Sequence, residues 1–227
     1  VDKKEATALV LMRSDHIDPV IRYTLDGSMP IASSPKYTGP ITLKKTATIR
    51  AAIFKGNELK GHPAERVVSL HKGMGKEVSL AEQFSPKYAA GGPAGLVDGL
   101  SGSKGHGDGN WQGYNGNDLK ATIDLGEVTE INSISARFLQ NTGSWIFMPK
   151  AVEFFVSENG TDFESIKKVN STVSPEKGGA IIQTFQAAAS LKTRYVKVIG
   201  TNYGVCPEGH PGTGGKTWLF VDEIIVN

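Results

Sequence analysis

The chain has 227 residues, of which 39% are hydrophobic and 21% charged, a composition normal for a soluble globular protein. Its net charge is +2 and its basic residues are scattered, which argues against nucleic-acid binding, and the one cysteine, Cys206, excludes a disulfide framework and a cysteine-based zinc site. No long apolar run is present, so we predict no transmembrane segment. The opening at Val1 reads as mid-protein, so we expect an excised piece whose lack of a signal peptide says little about localisation.

The first 70 residues alternate short apolar runs with turns. The predicted strands are 7–12, 21–25, 41–43, 47–54 and 65–70. Asp26-Gly27 closes the second of them as a turn pair, and Pro30, Pro35 and Pro40 keep the following stretch extended. No helical period appears, so these residues predict a small antiparallel sandwich.

Residues 71–75 (HKGMG) are interpreted as a linker, after which the strand pattern restarts. The predicted strands are 76–80, 120–125, 134–138, 152–156, 180–185, 194–199 and 219–226. Two long loops interrupt them, a glycine-rich one within residues 95–126 and another at 201–217. Many alternating strands joined by uneven loops indicate a jelly-roll sandwich.

The first region resembles the small C-terminal domain of bacterial chitobiases and β-N-acetylhexosaminidases. The motifs that carry this resemblance are YTLDGS at 23–28 with Pro30, YTGP at 37–40 and TIRA at 48–51. The resemblance implies an Ig-like sandwich over residues 1–72 that serves as a rigid spacer.

Residues 76–227 resemble a discoidin domain, the coagulation factor 5/8 type C fold. The matching pieces are LVDG at 96–99, Trp111, IDLG at 123–126, VS at 156–157 followed by NG at 159–160 and Phe163, RYVKV at 194–198 and EI at 223–224. This order of domains is similar to the tail of Bacteroides-type family 20 glycoside hydrolases. It implies an all-β chain, a catalytic domain upstream in the same chain, and a periplasmic or extracellular location.

The glycine-rich loop is a candidate calcium site, because calcium takes six to eight oxygen ligands on a bent loop. Within it, Asp98, Asp108 and Asn110 supply side-chain oxygens. The discoidin resemblance assigns Asp98, Asn110 and Glu223 as ligands of a structural calcium. In the alternative reading, Asp98 only caps its turn and Glu223 pairs with a nearby cation. We expect Trp111 to pack under this loop.

Sugar binding needs an aromatic face with hydrogen-bonding groups close by. Trp145 lies in the loop 139–149, and the 201–217 loop is expected to complete the same end of the sandwich. The candidate sugar-binding residues are Trp145, Gln140, Asn141, Tyr203, Glu208 and His210. The alternatives are that residues 145–147 fold inward as an apolar plug and that His210 only braces its loop.

A catalytic carboxylate pair is not expected. Asp222 and Glu223 are neighbours within a strand, where successive side chains point to opposite faces. The leading hypothesis is therefore a non-catalytic region of a β-N-acetylhexosaminidase that binds N-acetylhexosamine- or galactose-containing glycans. The alternatives are structural domains that pack on the catalytic barrel or a second subunit, and adhesion to a surface protein. The exposure of Trp145 distinguishes the sugar-binding and structural hypotheses.

Overall fold

The computed structural model describes residues 7–227. Contacts between Cα atoms divide the chain into two compact units, Val1–Leu70 and His71–Asn227. The regular elements of the described residues are β-strands and short 3-10 helices, which confirms the all-β prediction. Within the same residues, no helix has the length and apolarity needed to cross a membrane.

The first unit contains two small antiparallel sheets. Its strands are β1 (Ala8–Val10), β2 (Val20–Thr24), β3 (Ile41–Leu43), β4 (Ala47–Lys55) and β5 (Glu58–Val68). Strand β1 pairs with β3, and β2, β4 and β5 form the second sheet in that order. Ala47, Ile49, Ala52 and Phe54 of β4 are buried, an alternation that shifts by one residue at the irregularity between Ala51 and Ile53.

Strand β5 is longer than its sequence pattern predicts. It begins at Glu58, directly after the turn at Gly56 and Asn57, whereas the apolar pattern indicates a strand only from residue 65. The added residues are mostly exposed and include Pro63, which an edge strand tolerates because its outer amides pair with no neighbour. Hydrophobic periodicity therefore misses the polar half of this edge strand.

The second unit is a jelly-roll sandwich. Its strands are β6 (Glu77–Leu80), β7 (Gln112–Asn115), β8 (Leu119–Asn141), β9 (Ala151–Ser157), β10 (Glu164–Asn170), β11 (Ala180–Gly200) and β12 (Trp218–Val226). Its 3-10 helices are Pro86–Tyr88, Pro93–Val97 and Thr142–Ser144.

Strands β8 and β11 each contribute to both layers of the sandwich. In one layer, residues 119–124 of β8 pair with residues 195–200 of β11, and β6 pairs with residues 121–124 of β8. The same residues of β11 pair on their other side with β9, and β9 pairs with β10. In the other layer, residues 133–141 of β8 pair with residues 180–188 of β11 and, on the other side, with β12. Strand β12 pairs in turn with β7. The core lies between the layers, where side chains from both halves of β8 form one buried cluster.

Two strands of this unit lie outside the predicted set. Strand β7 follows the glycine-rich loop, and its Gly113 packs where a Cβ would lie 2.6 Å from the ring of Phe220. Strand β10 is an edge strand whose residues are mostly exposed and polar. Neither has the apolar alternation that identifies the central strands.

The segment interpreted as a linker packs into the second unit. The His71 side chain is buried and its Nε2 lies 2.8 Å from Glu223 Oε1. The Lys72 amide donates to the carbonyl of Val226 at 2.7 Å, and Gly75 donates to Val97 at 2.8 Å. The chain therefore enters this unit beside the end of its last strand.

Trp111 anchors the glycine-rich loop from below, as predicted. Its side chain is 1% exposed, and its Nε1 donates to the carbonyl of Ser103 at 2.9 Å. Gly102 lies against the indole so closely that a Cβ there would be 2.4 Å from Trp111 Cε2. A glycine at this position is required by close packing, because any side chain would displace the ring.

We expect Gly102→Ala to lower the free energy of unfolding of the second unit by about 1–3 kcal/mol, the usual cost of overpacking. All three tryptophans, Trp111, Trp145 and Trp218, lie in this unit, so fluorescence-monitored urea unfolding reports on it alone. Gly105→Ala is the matched control, because the nearest atom to its added Cβ is 3.5 Å away. Equal unfolding midpoints for the two variants would contradict the packing argument.

Candidate functional site

Trp145 lies on the surface at the tip of the loop between β8 and β9. It ends the 3-10 helix Thr142–Ser144 with a left-handed backbone (φ 62°), and its amide donates to the Thr142 carbonyl at 2.8 Å. The Trp145 side chain is 42% exposed, whereas Ile146 and Phe147 are each 1% exposed. The apolar plug therefore forms from the two following residues, and the indole stays at the surface.

Two glycines of the 201–217 loop form a floor under this indole. A Cβ on Gly212 would lie 2.6 Å from Trp145 Cε2 and Cζ2, and one on Gly215 would lie 3.4 Å from Cζ3. The ring thus rests on bare backbone on one side, while much of its remaining surface faces solvent. An aromatic ring held in this way is already positioned to stack against an apolar ligand face.

His210 joins the two loops that carry the indole and its floor. Its Nδ1 accepts from the Gly212 amide at 3.0 Å, so its Nε2 carries the proton and donates to the Thr142 carbonyl at 2.9 Å. The ring also contacts Phe147 at a centroid distance of 5.4 Å. Both nitrogens are in use, so His210 braces the loops, as the alternative reading held, and offers no free nitrogen to a ligand.

Gln140 is not a surface ligand. Its side chain is 1% exposed, and its Nε2 donates to the carbonyls of Ser174 at 2.9 Å and Lys177 at 3.0 Å. Its Oε1 accepts from the Met148 amide at 3.3 Å. The sugar-binding prediction for Gln140 is wrong, because the end of β8 directs this amide inward, where it ties the 171–179 segment to the sandwich.

The other three predicted sugar-binding residues lie on the same two loops as Trp145 and His210. Asn141 is half-buried and its backbone pairs with Ile146, while its side-chain amide makes no hydrogen bond to any of residues 7–227. Glu208 is exposed and forms no ion pair with the described residues. Tyr203 stacks on Phe147 at a centroid distance of 5.2 Å. These residues retain polar atoms that are open to a ligand.

A second cluster surrounds Glu223, whose side chain is 0% exposed. Its Oε1 accepts from the Gly99 amide at 3.2 Å and from His71 Nε2 at 2.8 Å, while its Oε2 has no partner among the described residues. Burial raises the pKa of Glu223 to about 9, and the negative charge of Asp98 adds to the rise. Burial lowers the pKa of His71 to about 4, so this imidazole is neutral at pH 7.

Asp222 faces the same turn as Glu223, contrary to the strand argument. A β-bulge between Val221 and Ile224 breaks the alternation, so both carboxylates are buried. Asp222 Oδ2 accepts from the Gly102 amide and pairs with Arg137, each at 2.8 Å. The expectation that they point to opposite faces is therefore wrong, although each is held by its own backbone and side-chain partners.

The remaining predicted metal ligands differ in their surroundings. Asp108 accepts hydrogen bonds from the amides of Ser103 at 2.6 Å and Asn110 at 3.0 Å. Both contacts lie within the glycine-rich loop and stabilise its turn. Asn110 Nδ2 is buried without a partner in the described chain. Asp98 Oδ1 accepts from the Leu100 amide at 2.8 Å, and burial raises the pKa of Asp98. No group of three or more His, Cys, Asp or Glu side chains among residues 7–227 has metal-holding geometry, so a cation here needs amide or backbone oxygens as well.

Sequence reasoning overlooked His71 and Lys150. The sequence places His71 in the predicted linker, because a single histidine in a glycine-rich segment does not indicate whether its side chain is buried. Lys150 follows Pro149 at the end of the Trp145 loop, where its ammonium lies 5.7 Å from the centre of the Tyr203 ring. Its position directly after a loop that ends in proline is the only feature of the sequence that marks Lys150. No sequence pattern indicates that it lies near Tyr203.

We expect Gly212→Ala to push the Trp145 indole away from its floor and to increase the quenching of tryptophan fluorescence by acrylamide. The cause is steric, since the added Cβ would lie 2.6 Å from the ring. Gly178→Ala is the control, because no atom lies within 4 Å of its added Cβ. Identical quenching in wild type and Gly212→Ala would show that the ring does not rest on Gly212.

Comparison with protein-family models gives two matches. The F5/8 type C domain model matches residues 80–218, and the chitobiase/beta-hexosaminidase C-terminal domain model matches residues 4–63. A search of curated proteins gives no match.

Solved structures also resemble the chain. One is CpGH89CBM32-5 from Clostridium perfringens, in complex with GalNAc-β-1,3-galactose, at 19% identity and a TM-score of 0.42, covering 66% of this chain and 93% of that one. Another is chitosan-binding module 1 of a chitosanase/glucanase from Paenibacillus sp. IK-5, at 15% identity and a TM-score of 0.43, covering 69% of this chain and 98% of that one.

Proposed function

Because the chain belongs to the F5/8 type C domain family, whose model matches more than half of its 227 residues, we propose that its second unit is a glycan-binding module. The observation that carries this proposal is the exposed Trp145 indole on its glycine floor. A pyranose ring has one face rich in C–H groups, and such a face stacks well on a fixed aromatic ring.

The polar atoms around Trp145 complement this platform. A sugar hydroxyl both donates and accepts hydrogen bonds, so it suits the open Asn141 amide, the Glu208 carboxylate and the Tyr203 phenol. The platform is shallow and most of its contacts are exposed, so we expect weak affinity for a single sugar. The proposed ligands are glycans that contain N-acetylhexosamine or galactose.

A glycan array probed with the full chain tests this function. Trp145→Ala should weaken binding by about tenfold or more, because it removes both the stacking contact and the apolar area. Val128→Ala is the control, since this apolar side chain is also exposed (51%) and lies outside the Trp145 loop. If no glycan binds the wild-type chain, the glycan-binding proposal fails. That result would favour the alternative, in which the domain only packs against a catalytic barrel or a second subunit.

We further propose that the chain is the non-catalytic tail of a β-N-acetylhexosaminidase of the Bacteroides-type family 20 group. The match of residues 4–63 to the chitobiase/beta-hexosaminidase C-terminal domain supports this placement. In such a protein the first unit is a spacer, and binding by the second raises the local substrate concentration around an upstream catalytic domain. The proposed location is periplasmic or extracellular. The reading frame upstream of Val1 tests the proposal, which fails if that frame encodes no glycoside hydrolase.

We also propose a structural calcium ion at the Asp98–Glu223 cluster. The fit rests on Glu223 Oε2, a buried carboxylate oxygen that receives no hydrogen bond from the described residues, and on the Asp98 carboxyl, which lies close enough to Glu223 for each to shift the pKa of the other. The discoidin resemblance assigns Asn110 as a further ligand, and reversing its amide would put Oδ1 at the buried, unpartnered position of Nδ2. Asp108 is left out of this set because it caps its own loop. A bound cation supplies positive charge that favours the ionised form of both carboxylates.

Calcium should therefore raise the Tm of the fluorescence-monitored transition of the full chain. A ligand at 100 times its Kd stabilises by about 2.7 kcal/mol, and a domain of this size gains roughly 2–4 °C per kcal/mol. Glu223→Gln should abolish the calcium-dependent shift, while Glu158→Gln, at an exposed position, should keep it. A wild-type Tm that is the same in calcium and in chelator would count against the ion.

A further inference from the structure

A cavity of about 240 Å³ opens at the end of the loop that carries Trp145, where Met148, Pro149 and Lys150 contribute to its wall. It is lined by Gln140, Met148, Pro149, Lys150, Ser171, Val173, Pro175 and Tyr203. It is smaller than the roughly 300–1,000 Å³ of pockets for drug-sized ligands, so it suits one sugar ring or one substituent. Tyr203 belongs both to this cavity and to the 201–217 loop that carries the glycine floor.

The charge of the cavity lining comes from Lys150 alone. The lining contains no acidic residue, and the Lys150 ammonium forms no ion pair with any of the described residues. It lies 5.7 Å from the centre of the Tyr203 ring, and the Tyr203 hydroxyl makes no hydrogen bond within residues 7–227. The cavity therefore presents one unpaired positive charge and one uncommitted phenol donor.

Backbone hydrogen bonds fix the main chain at Lys150, and ring stacking fixes Tyr203. The Lys150 amide donates to the Thr201 carbonyl at 2.9 Å, and the Lys150 carbonyl accepts from the Ser171 amide at 3.1 Å. Tyr203 is fixed by stacking on the buried Phe147 ring. The Gln140 amide is committed to Ser174, Lys177 and Met148, so it shapes the wall rather than competing for a ligand.

The opposite wall is apolar and comes from Met148, Pro149, Val173 and Pro175. Lys150 is exposed and forms no ion pair with the described residues, so a neutral sugar gains no charge-assisted contact here. A carboxylate would form a charge-assisted hydrogen bond with Lys150 and accept a second bond from Tyr203, while the ring carbons face the apolar wall.

We propose that this cavity is a subsite for the carboxylate of an acidic sugar residue, a uronic or sialic acid, in a glycan of which another residue stacks on Trp145. The inference rests on the glycan-binding function proposed above and deepens it by naming a ligand class. Contacting rings connect the two positions, from Tyr203 to Phe147 (5.2 Å), to His210 (5.4 Å) and to Trp145 (6.4 Å).

Calorimetric titration of the full chain with paired oligosaccharides tests this subsite. Each pair consists of a neutral glycan and its counterpart with one uronic or sialic acid residue, and a sulfated counterpart serves as the third arm. Wild type should bind the carboxylated member about fivefold more tightly than the neutral member. This ratio is the upper end of the contribution that one exposed ion pair makes to affinity. This preference should fall as salt concentration rises.

Lys150→Met keeps the aliphatic stem and should remove the preference for the carboxylated member, whereas Lys150→Arg should retain it. Lys177→Met is the charge-matched control, since this exposed lysine does not line the cavity. Equal affinity for neutral and carboxylated glycans in wild type, or a preference unchanged in Lys150→Met, overturns the subsite while leaving the Trp145 function intact. A preference for the sulfated member alone also overturns it. If neither neutral nor acidic glycans bind, the subsite and the proposed function both fail.

Discussion

The pairing of β8 with β11 along nearly their whole lengths is the constraint on which the second unit depends. Each strand contributes one half to each layer, so the register between them fixes which side chains enter the core from both sides. A shift by one residue would move every buried side chain of these strands to the outer face. The same register brings residue 141, where β8 ends, beside residue 180, where β11 begins, and so places the segment that follows β8 next to the segment that precedes β11.

The loops at this end gain their order from small, specific contacts. His210 ties the 201–217 loop to Thr142, Gln140 ties the 171–179 segment to the end of β8, and Gly212 supports the indole. Thr217 and Gly204 both donate to Asn202 Oδ1, at 2.6 and 2.8 Å. Loops rich in glycine lose much conformational entropy on ordering, so each of these contacts offsets part of that loss.

The sequence alone predicts the central strands and the chemistry of the exposed platform, but not its supports. The alternation of Ala121, Ile123 and Leu125 identifies a buried face directly, because its period is that of a strand. Gln140 was assigned to the wrong role, since proximity in sequence to Trp145 does not tell which way a side chain points at a strand end. The bulge that turns Asp222 and Glu223 toward one turn depends on pairing with β8, a non-local contact that local pattern does not encode.

The hydrogen bond from the Lys72 amide to the Val226 carbonyl fixes where the chain enters the second unit. The chain enters beside the last residues of β12, whereas Trp145 pairs with Trp218 at that strand's first residue. Eight residue steps along the strand, about 26 Å, separate the two positions. The point at which the chain enters this unit and the exposed Trp145 indole therefore lie at opposite ends of β12. A fragment cut at residue 76 would also lose His71 and leave the buried Glu223 carboxylate short of one donor.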